Sequence, residues 1–223
     1  MKPAAKMGYK VGLLVAVVML GFFFLPGLDR FHALGPANIG HEALACRECH
    51  VAAPGTTRQQ VQANLRYRLG LRDTQVHFQH RPVTNATCLA CHDRPKDNHP
   101  VHRFNEPRFA AARASIQPQR CISCHREHGG ARVTHNDLTF CRYCHENLKL
   151  KNDPLDVSHE ALIAAKRWST CLGCHDFHGN HVMKVATVLN QALSIEEVTA
   201  YFHGAVSPYS EHKHYQAKET RYD

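Results

Sequence analysis

Long apolar runs are almost absent from this 223-residue chain after residue 28. The chain also lacks segments with the strict alternation of apolar and polar residues that is typical of a half-buried strand. Both absences argue against a conventional hydrophobic core and against a β-sheet fold. The sequence predicts instead a mostly irregular chain with short α-helices.

Methionine is scarce, and unpaired cysteine is missing altogether. Met1, Met7 and Met19 lie near the N-terminus, so Met183 is the one methionine in the rest of the chain. All ten cysteines fall into five pairs, with two residues between the partners of each pair. This pairing indicates one kind of site that is repeated five times.

Each cysteine pair is followed immediately by a histidine, so the motif C-x-x-C-H occurs five times. This motif is the attachment signature of c-type haem, in which two thiols bond to one porphyrin and the adjacent histidine binds its iron. The sequence therefore predicts five covalently attached haem c groups. The attaching cysteines are Cys46, Cys49, Cys88, Cys91, Cys121, Cys124, Cys141, Cys144, Cys171 and Cys174, and the proximal iron ligands are His50, His92, His125, His145 and His175.

Zinc binding and disulfide formation are the two alternatives for paired cysteines. A structural zinc site needs four ligands, so five pairs would leave one pair without a partner. Disulfides form in exported chains, but they give no reason for a histidine after every pair. The haem interpretation accounts for both the cysteines and the histidines.

The haem content also bears on the fold class. The 195 residues that follow residue 28 amount to 39 per predicted haem. We therefore expect a haem-cored multihaem cytochrome, in which the porphyrins form the core and the polypeptide wraps them. The spacing between motifs varies too much for a solenoid repeat.

The N-terminus combines positive charge with an apolar segment. Lys2, Lys6 and Lys10 precede an uncharged stretch over residues 11–28, which as a helix would be about 27 Å long. This pattern predicts one N-terminal transmembrane helix, or alternatively a cleaved signal segment. The corresponding location is the inner membrane, with a single pass, the N-terminus inside and the haem domain in the periplasm.

The sequence predicts four regions along the chain. They are an anchor over residues 1–28, a tether over 29–40, a pentahaem domain over 41–181, and a C-terminal helix with a polar tail over 182–223. Helices are expected over residues 58–71, 107–116 and 158–168, and from Ser194, where Ser-Ile-Glu-Glu has the form of a capping box. The tail after Tyr209 is expected to be frayed or to face a partner.

Each iron needs a second axial ligand unless its distal site stays open. Fourteen of the 19 histidines lie outside the motifs, whereas Met183 is the only methionine beyond the N-terminal segment. At least four of the five irons therefore cannot have histidine–methionine ligation. Histidine on both faces of every iron is the economical prediction, and it implies lower reduction potentials than histidine–methionine sites.

At this level the chain resembles the multihaem class III c-type cytochromes, the cytochrome c3 and c7 group. In that family a histidine eight residues before a motif commonly ligates the iron of the same motif, as His80 would do before Cys88. The family also takes ligands for a neighbouring haem from just before or just after a motif. The resemblance implies the distal ligands His41, His80, His128, His135 and His159, with His99, His102, His178 and His181 as rivals.

The resemblance covers residues 40–181. The chain departs from the family in its five haems, its predicted anchor and its C-terminal extension. Cys-His-Asp-Phe-His-Gly around His178 mirrors Cys-His-Arg-Glu-His-Gly around His128, which makes His178 a strong rival.

The net charge of +8 would ordinarily suggest an anionic partner such as nucleic acid. Five haems, however, carry about ten propionate charges, which would bring the loaded protein close to neutrality. Arginines such as Arg120, Arg126 and Arg142 are natural partners for those propionates. We therefore expect no nucleic acid, and we expect redox proteins, the membrane and a quinol as partners.

The predicted function is electron transfer by a membrane-anchored periplasmic pentahaem cytochrome, between a membrane or quinol donor and a periplasmic acceptor. On this prediction the protein is an electron carrier and not an enzyme. The alternatives are a quinol dehydrogenase subunit, a multihaem reductase with an open haem site, and a wiring subunit of a respiratory complex. Pentahaem nitrite reductases share the haem number, but their catalytic haem commonly carries lysine where all five motifs here have histidine.

Overall fold

We describe a computed structural model of the chain, which gives the backbone for residues 3–23 and 33–220 and the side chains for residues 7–22 and 33–220. Short helices joined by irregular segments make up these residues. Two isolated β-bridges, Ala52 with His80 and His181 with Lys213, are the only extended pairings among them. The predicted helical and irregular character is confirmed.

The α-helices are interspersed with 3-10 turns along the described residues. The α-helices are α1 (Pro3–Phe23), α2 (Thr57–Arg68), α3 (Asn85–Leu89), α4 (Ala110–Ile116), α5 (Arg142–His145), α6 (His159–Ala164), α7 (Cys171–Cys174) and α8 (Ile195–Phe202). The 3-10 turns are Cys46–Glu48, Val101–Asn105, Pro107–Phe109, Cys121–Ser123, Trp168–Thr170 and Leu189–Gln191.

The predicted transmembrane helix over residues 11–28, and with it the single-pass inner-membrane location, is wrong. No helix within residues 3–23 and 33–220 is both long and apolar enough to span a bilayer. Helix α1 starts at Pro3 and ends at Phe23, so it contains Lys10 and its uncharged part begins only at Val11. That part is about 20 Å long, whereas a bilayer core is about 30 Å thick. Residues 24–28 of the predicted span lie outside the described residues.

Helix α8 follows its sequence signal closely. The Ser194 hydroxyl accepts a hydrogen bond from the Glu197 N–H, and the Glu197 carboxylate accepts one from the Ser194 N–H, which completes the predicted capping box. Val198 on the inner face is fully buried. Helix α2 starts with a second capping box, formed by Thr56 and Gln59; it begins one residue before the predicted span of residues 58–71 and ends three residues before the end of that span.

Little apolar side-chain surface is buried by the polypeptide itself. The buried apolar residues are few and mostly small, and Phe104, Trp168 and Val198 are among them. The chain exposes 16208 Å², compared with about 10,000 Å² expected for a compact protein of this mass. Tertiary packing between these helices therefore does not provide a core of ordinary size.

Both segments that flank the motifs are attached to the motif region. In the predicted tether, whose residues 29–32 lie outside the described part, Asn38 is buried and its side-chain N–H donates to the carbonyl of Arg126 at 3.1 Å. In the predicted tail, the Tyr209 hydroxyl donates to the Leu172 carbonyl at 2.8 Å, and the Lys218 N–H donates to the Cys91 carbonyl at 3.1 Å. These two bonds attach the tail to the fifth and second motifs, whereas the sequence predicts a tail that is frayed or faces a partner.

Candidate haem-binding sites

All five C-x-x-C-H motifs share one backbone hydrogen bond. In each motif the histidine N–H donates to the carbonyl of the first cysteine, at 2.8 to 2.9 Å. This bond closes one helical turn, and residues three and four apart on such a turn lie on the same face. The two thiols and the imidazole of each motif are therefore presented together, as attachment to one planar group requires.

The structure lends no support to the two alternative uses of the cysteines. All ten cysteines are free thiols, so none forms a disulfide. A zinc site would require four ligands, and the described part of the chain contains no group of three or more His, Cys, Asp or Glu side chains placed to hold a metal ion. A haem iron differs in that it takes only two ligands from the protein.

Each motif histidine faces a second histidine from elsewhere in the chain. Imidazole nitrogens bind first-row metals at about 2 Å, so two imidazoles on opposite sides of one iron have ring centres roughly 6 Å apart. Five such pairs are present, with ring centres at 6.3 Å for His50–His128, 5.8 Å for His92–His41, 6.1 Å for His125–His178, 6.1 Å for His145–His99 and 6.3 Å for His175–His159.

The second histidine of every pair is oriented by a hydrogen bond at Nδ1. The acceptors cannot donate, so Nδ1 carries the proton and the Nε2 lone pair is free to bind a metal, the usual arrangement for metal-ligating histidines. The acceptors are Glu127 Oε2 for His41 (3.0 Å), Asp97 Oδ2 for His178 (3.0 Å), Asp153 for His159 (2.9 Å), the Phe177 carbonyl for His99 (2.5 Å) and the Gly35 carbonyl for His128 (3.2 Å). The chemistry and spacing of this donor set therefore fit five axially ligated haems.

His80 also lies near the first motif, with its ring centre 5.9 Å from that of His50. Its backbone holds it there, because the Arg81 N–H donates to the Val51 carbonyl at 2.8 Å. The His80 side chain is exposed, and its ring makes no hydrogen bond within the described residues, whereas His128 is half-buried and held at Nδ1. His128 is therefore the better partner for His50, and His80 lies beside the first motif and not the second.

The other predicted histidines are not placed opposite a motif histidine. The His135 ring packs against Phe140, and its Nε2 is buried by protein without a hydrogen-bond partner. His181 is buried, with Nδ1 bound to Asp176 at 2.8 Å and Nε2 3.4 Å from the Tyr201 hydroxyl. His102 is exposed on the Val101–Asn105 turn.

Burial lowers the pKa of four motif histidines, His92, His125, His145 and His175, and so favours the neutral imidazole there. Burial lowers the pKa of His92 to about 4, with a further contribution from nearby Arg94. Burial also lowers the pKa of His125, although a hydrogen bond to the Arg132 carbonyl opposes this effect. The neutral form is the one that binds a metal, so these four rings need not lose a proton first.

The three orienting carboxylates are held in the charged form. Burial acts to raise the pKa of Asp97 and of Glu127, but hydrogen bonds from His178 and His41 respectively outweigh it, so both pKa values lie below their usual range. The pKa of Asp153 is lowered by the hydrogen bond from the His159 N–H and by the bond from its ring. Each of these three pairs therefore places a negative charge behind an imidazole.

Several of the motifs lie close together in space. The Cys121 thiol raises the pKa of the neighbouring Cys88 thiol, and the Cys171 thiol raises that of Cys141, so the second and third motifs lie side by side, as do the fourth and fifth. The stretch from His125 to His128 supplies residues to the third and first sites, and the stretch from His175 to His178 supplies the fifth and third. The first, third and fifth sites are therefore consecutive neighbours.

Comparison with family models, curated proteins and solved structures finds no match for this chain. The interpretation of these sites accordingly rests on the motifs and the geometry alone.

Proposed function

We propose that this chain is a pentahaem c-type cytochrome that carries electrons and does not convert a substrate. One observation carries the proposal. Each of five C-x-x-C-H histidines faces a second histidine at iron-bridging distance, and in every pair the second ring is held at Nδ1. The similarity to the class III multihaem cytochromes remains a prediction from motif and histidine placement.

The proposed attachment uses all ten motif cysteines, with the motif histidines as proximal ligands. The proposed distal ligands are His128, His41, His178, His99 and His159 for the first to fifth haems in chain order. Bound haem supplies one-electron ferric–ferrous chemistry, and the chain supplies axial ligands, spacing and local charge.

Histidine on both faces supports electron transfer over catalysis. With histidine ligands on both faces, both axial bonds would persist in the two oxidation states, so little rearrangement would accompany each transfer. A catalytic haem, in contrast, needs an open face to bind its substrate. The surplus of histidines, including His80 beside the first motif, argues against such an open face. Redox proteins are the proposed donors and acceptors.

The test is to produce the chain in a host that attaches haem c and to measure its intact mass and its electron paramagnetic resonance spectrum. We expect a mass increase of five haems, five low-spin ferric signals, and no carbon monoxide binding by the reduced protein. A mass increase of four haems or fewer in homogeneous protein would contradict the haem count. A high-spin ferric signal near one haem per chain would contradict the carrier function and favour an enzyme.

A further inference from the structure

The five hydrogen bonds that orient the proposed distal histidines are of two kinds. At the second, third and fifth sites the acceptor is a carboxylate, from Glu127, Asp97 and Asp153 respectively. At the first and fourth sites the acceptor is a backbone carbonyl, from Gly35 and Phe177. The acceptor therefore carries a full negative charge at three sites and none at two.

This difference affects the relative stability of ferric and ferrous iron. A carboxylate draws the Nδ1 proton towards itself, which makes the imidazole a stronger electron donor through Nε2. It also places a negative charge near the iron, which favours the more positive ferric state. Hydrogen bonds and charge around axial ligands are among the means by which a protein sets a haem potential.

On the basis of the proposed function, we propose that Glu127, Asp97 and Asp153 are positioning residues that hold the second, third and fifth haems at lower reduction potentials than the first and fourth. In a reductive titration each iron takes up one electron, which dithionite supplies. The first two electrons then reside mainly on the first and fourth haems.

Solvent does not fully screen these three charges. The side chains of the His41–Glu127 pair are each 31% exposed, and those of His178–Asp97 are 23% and 13% exposed. The His159–Asp153 pair is similarly covered, at 24% and 16%. Charges that are partly removed from water interact more strongly than charges at a free surface.

The charges that surround each carboxylate predict a ranking among the three sites. Arg94 Nη1 lies 3.6 Å from Asp97 Oδ2 and offsets part of its charge. Glu127 Oε1 is bound by the uncharged Asn38 N–H at 2.8 Å, and Asp153 also receives the His159 N–H at 2.6 Å. We therefore expect the smallest effect at the third haem, where Asp97 acts.

The test combines redox titration with electron paramagnetic resonance on the haem-loaded parent and on Glu127→Gln, Asp97→Asn and Asp153→Asn. Each substitution keeps the shape of the acceptor and removes its charge. We expect all five haems to remain attached and low-spin, and one low-spin signal to change its g values in each variant. The potential should rise most at the haem whose distal histidine the carboxylate holds at Nδ1. Asp97 Oδ1 also accepts the backbone N–H of His99 at 2.8 Å, so a smaller rise at the fourth haem accompanies Asp97→Asn. Glu106→Gln is the control, because Glu106 pairs with Arg108 at 2.8 Å and contacts no proposed ligand.

Two results would overturn the inference. One is an unchanged set of five potentials in all three variants. The other is loss of low-spin character instead of a shift in potential, which would mean that the carboxylates act only structurally. If a neutral variant attaches fewer than five haems, the potentials are measured in Glu127→Asp and Asp97→Glu instead. These two variants keep the negative charge, so they should keep the parent potentials, and a change in those potentials would contradict the inference.

The parent spectrum separates this inference from the proposed function. A parent with five low-spin haems whose potentials do not respond to the substitutions rejects the inference alone. A parent that lacks five low-spin haems rejects the proposed function, and the inference with it.

Discussion

Two features together distinguish the proposed distal ligands from the other described histidines: a hydrogen bond that holds Nδ1, and a position opposite a motif histidine. Two histidines lie within reach of His50, but only His128 has its Nδ1 held, by the Gly35 carbonyl. His181 is held equally well, by Asp176, yet its Nε2 faces the Tyr201 hydroxyl and not a motif histidine. A ligand therefore needs both features, an oriented ring and a free Nε2 opposite a motif.

Replacing His128 with alanine should open the first haem, because it removes the oriented ring opposite His50. We expect one high-spin ferric centre among five and a raised potential at that haem, measured by electron paramagnetic resonance and redox titration. His80→Ala is the matched control and should leave all five haems low-spin. If the two variants behave in the reverse way, His80 is the ligand of the first haem.

Replacing His178 with alanine should open the third haem in the same way, since its ring centre lies 6.1 Å from that of His125. His181→Ala removes a buried imidazole only three residues away and should leave every haem low-spin, although it should lower stability. The high-spin fraction in the two ferric spectra is the measurement. A high-spin centre in His181→Ala alone would contradict the assignment.

Among the helices, α8 shows how a local signal leads to packing at a motif. Its capping box starts the helix at Ile195, and the residue just before the cap, Leu193, donates its N–H to the Gly173 carbonyl at 3.0 Å. The helix is thereby fixed against the fifth motif. Its start and the motif turn are both contiguous in sequence, and for that reason both could be predicted.

Replacing Ser194 with alanine should lower the free energy of unfolding by about 1 kcal/mol, because the Glu197 N–H loses its side-chain acceptor. Ser115→Ala is the control, since that hydroxyl bonds to the Ala111 carbonyl within α4 and caps nothing. Chemical denaturation of the two haem-loaded variants gives the comparison. Equal stability of both variants would mean that the cap does not contribute.

Replacing Gly173 with alanine should disturb the contact between α8 and the fifth motif. A Cβ at this position would overlap the Leu193 carbonyl oxygen, so either α8 or the motif turn must shift. The motif itself tolerates alanine there, because Ala90 occupies the same place in the second motif. We expect a lower thermal midpoint than in the parent, whereas Ser123→Ala, at the same place in the third motif, should show little change.

For the whole molecule, the motifs could be read from sequence and the pairing between histidines could not. Cysteines and proximal histidines are adjacent in the chain, but the partner of His50 lies beyond two further motifs, at His128. His99, opposite His145, carries no local signal of its role, while His178 was indicated by the stretch that mirrors the one around His128. The transmembrane prediction was wrong because an uncharged run in sequence does not fix where a helix begins and ends.

The small core predicts that haem attachment controls folding of the whole chain. The chain alone exposes 16208 Å² and buries few large apolar side chains, too little to offset a conformational entropy cost of about 1–2 kcal/mol per residue. Five porphyrins faced by paired imidazoles would supply the missing apolar surface.

The chain without attached haem should therefore be expanded. Its radius of gyration should approach that of an unfolded chain of this length, about 50 Å, whereas that of the haem-loaded chain should be far closer to about 17 Å. Small-angle X-ray scattering and limited proteolysis on the parent, and on a variant with all ten motif cysteines changed to alanine, make the comparison. A compact, protease-resistant variant without haem would show that the polypeptide supplies its own core, and would contradict the prediction.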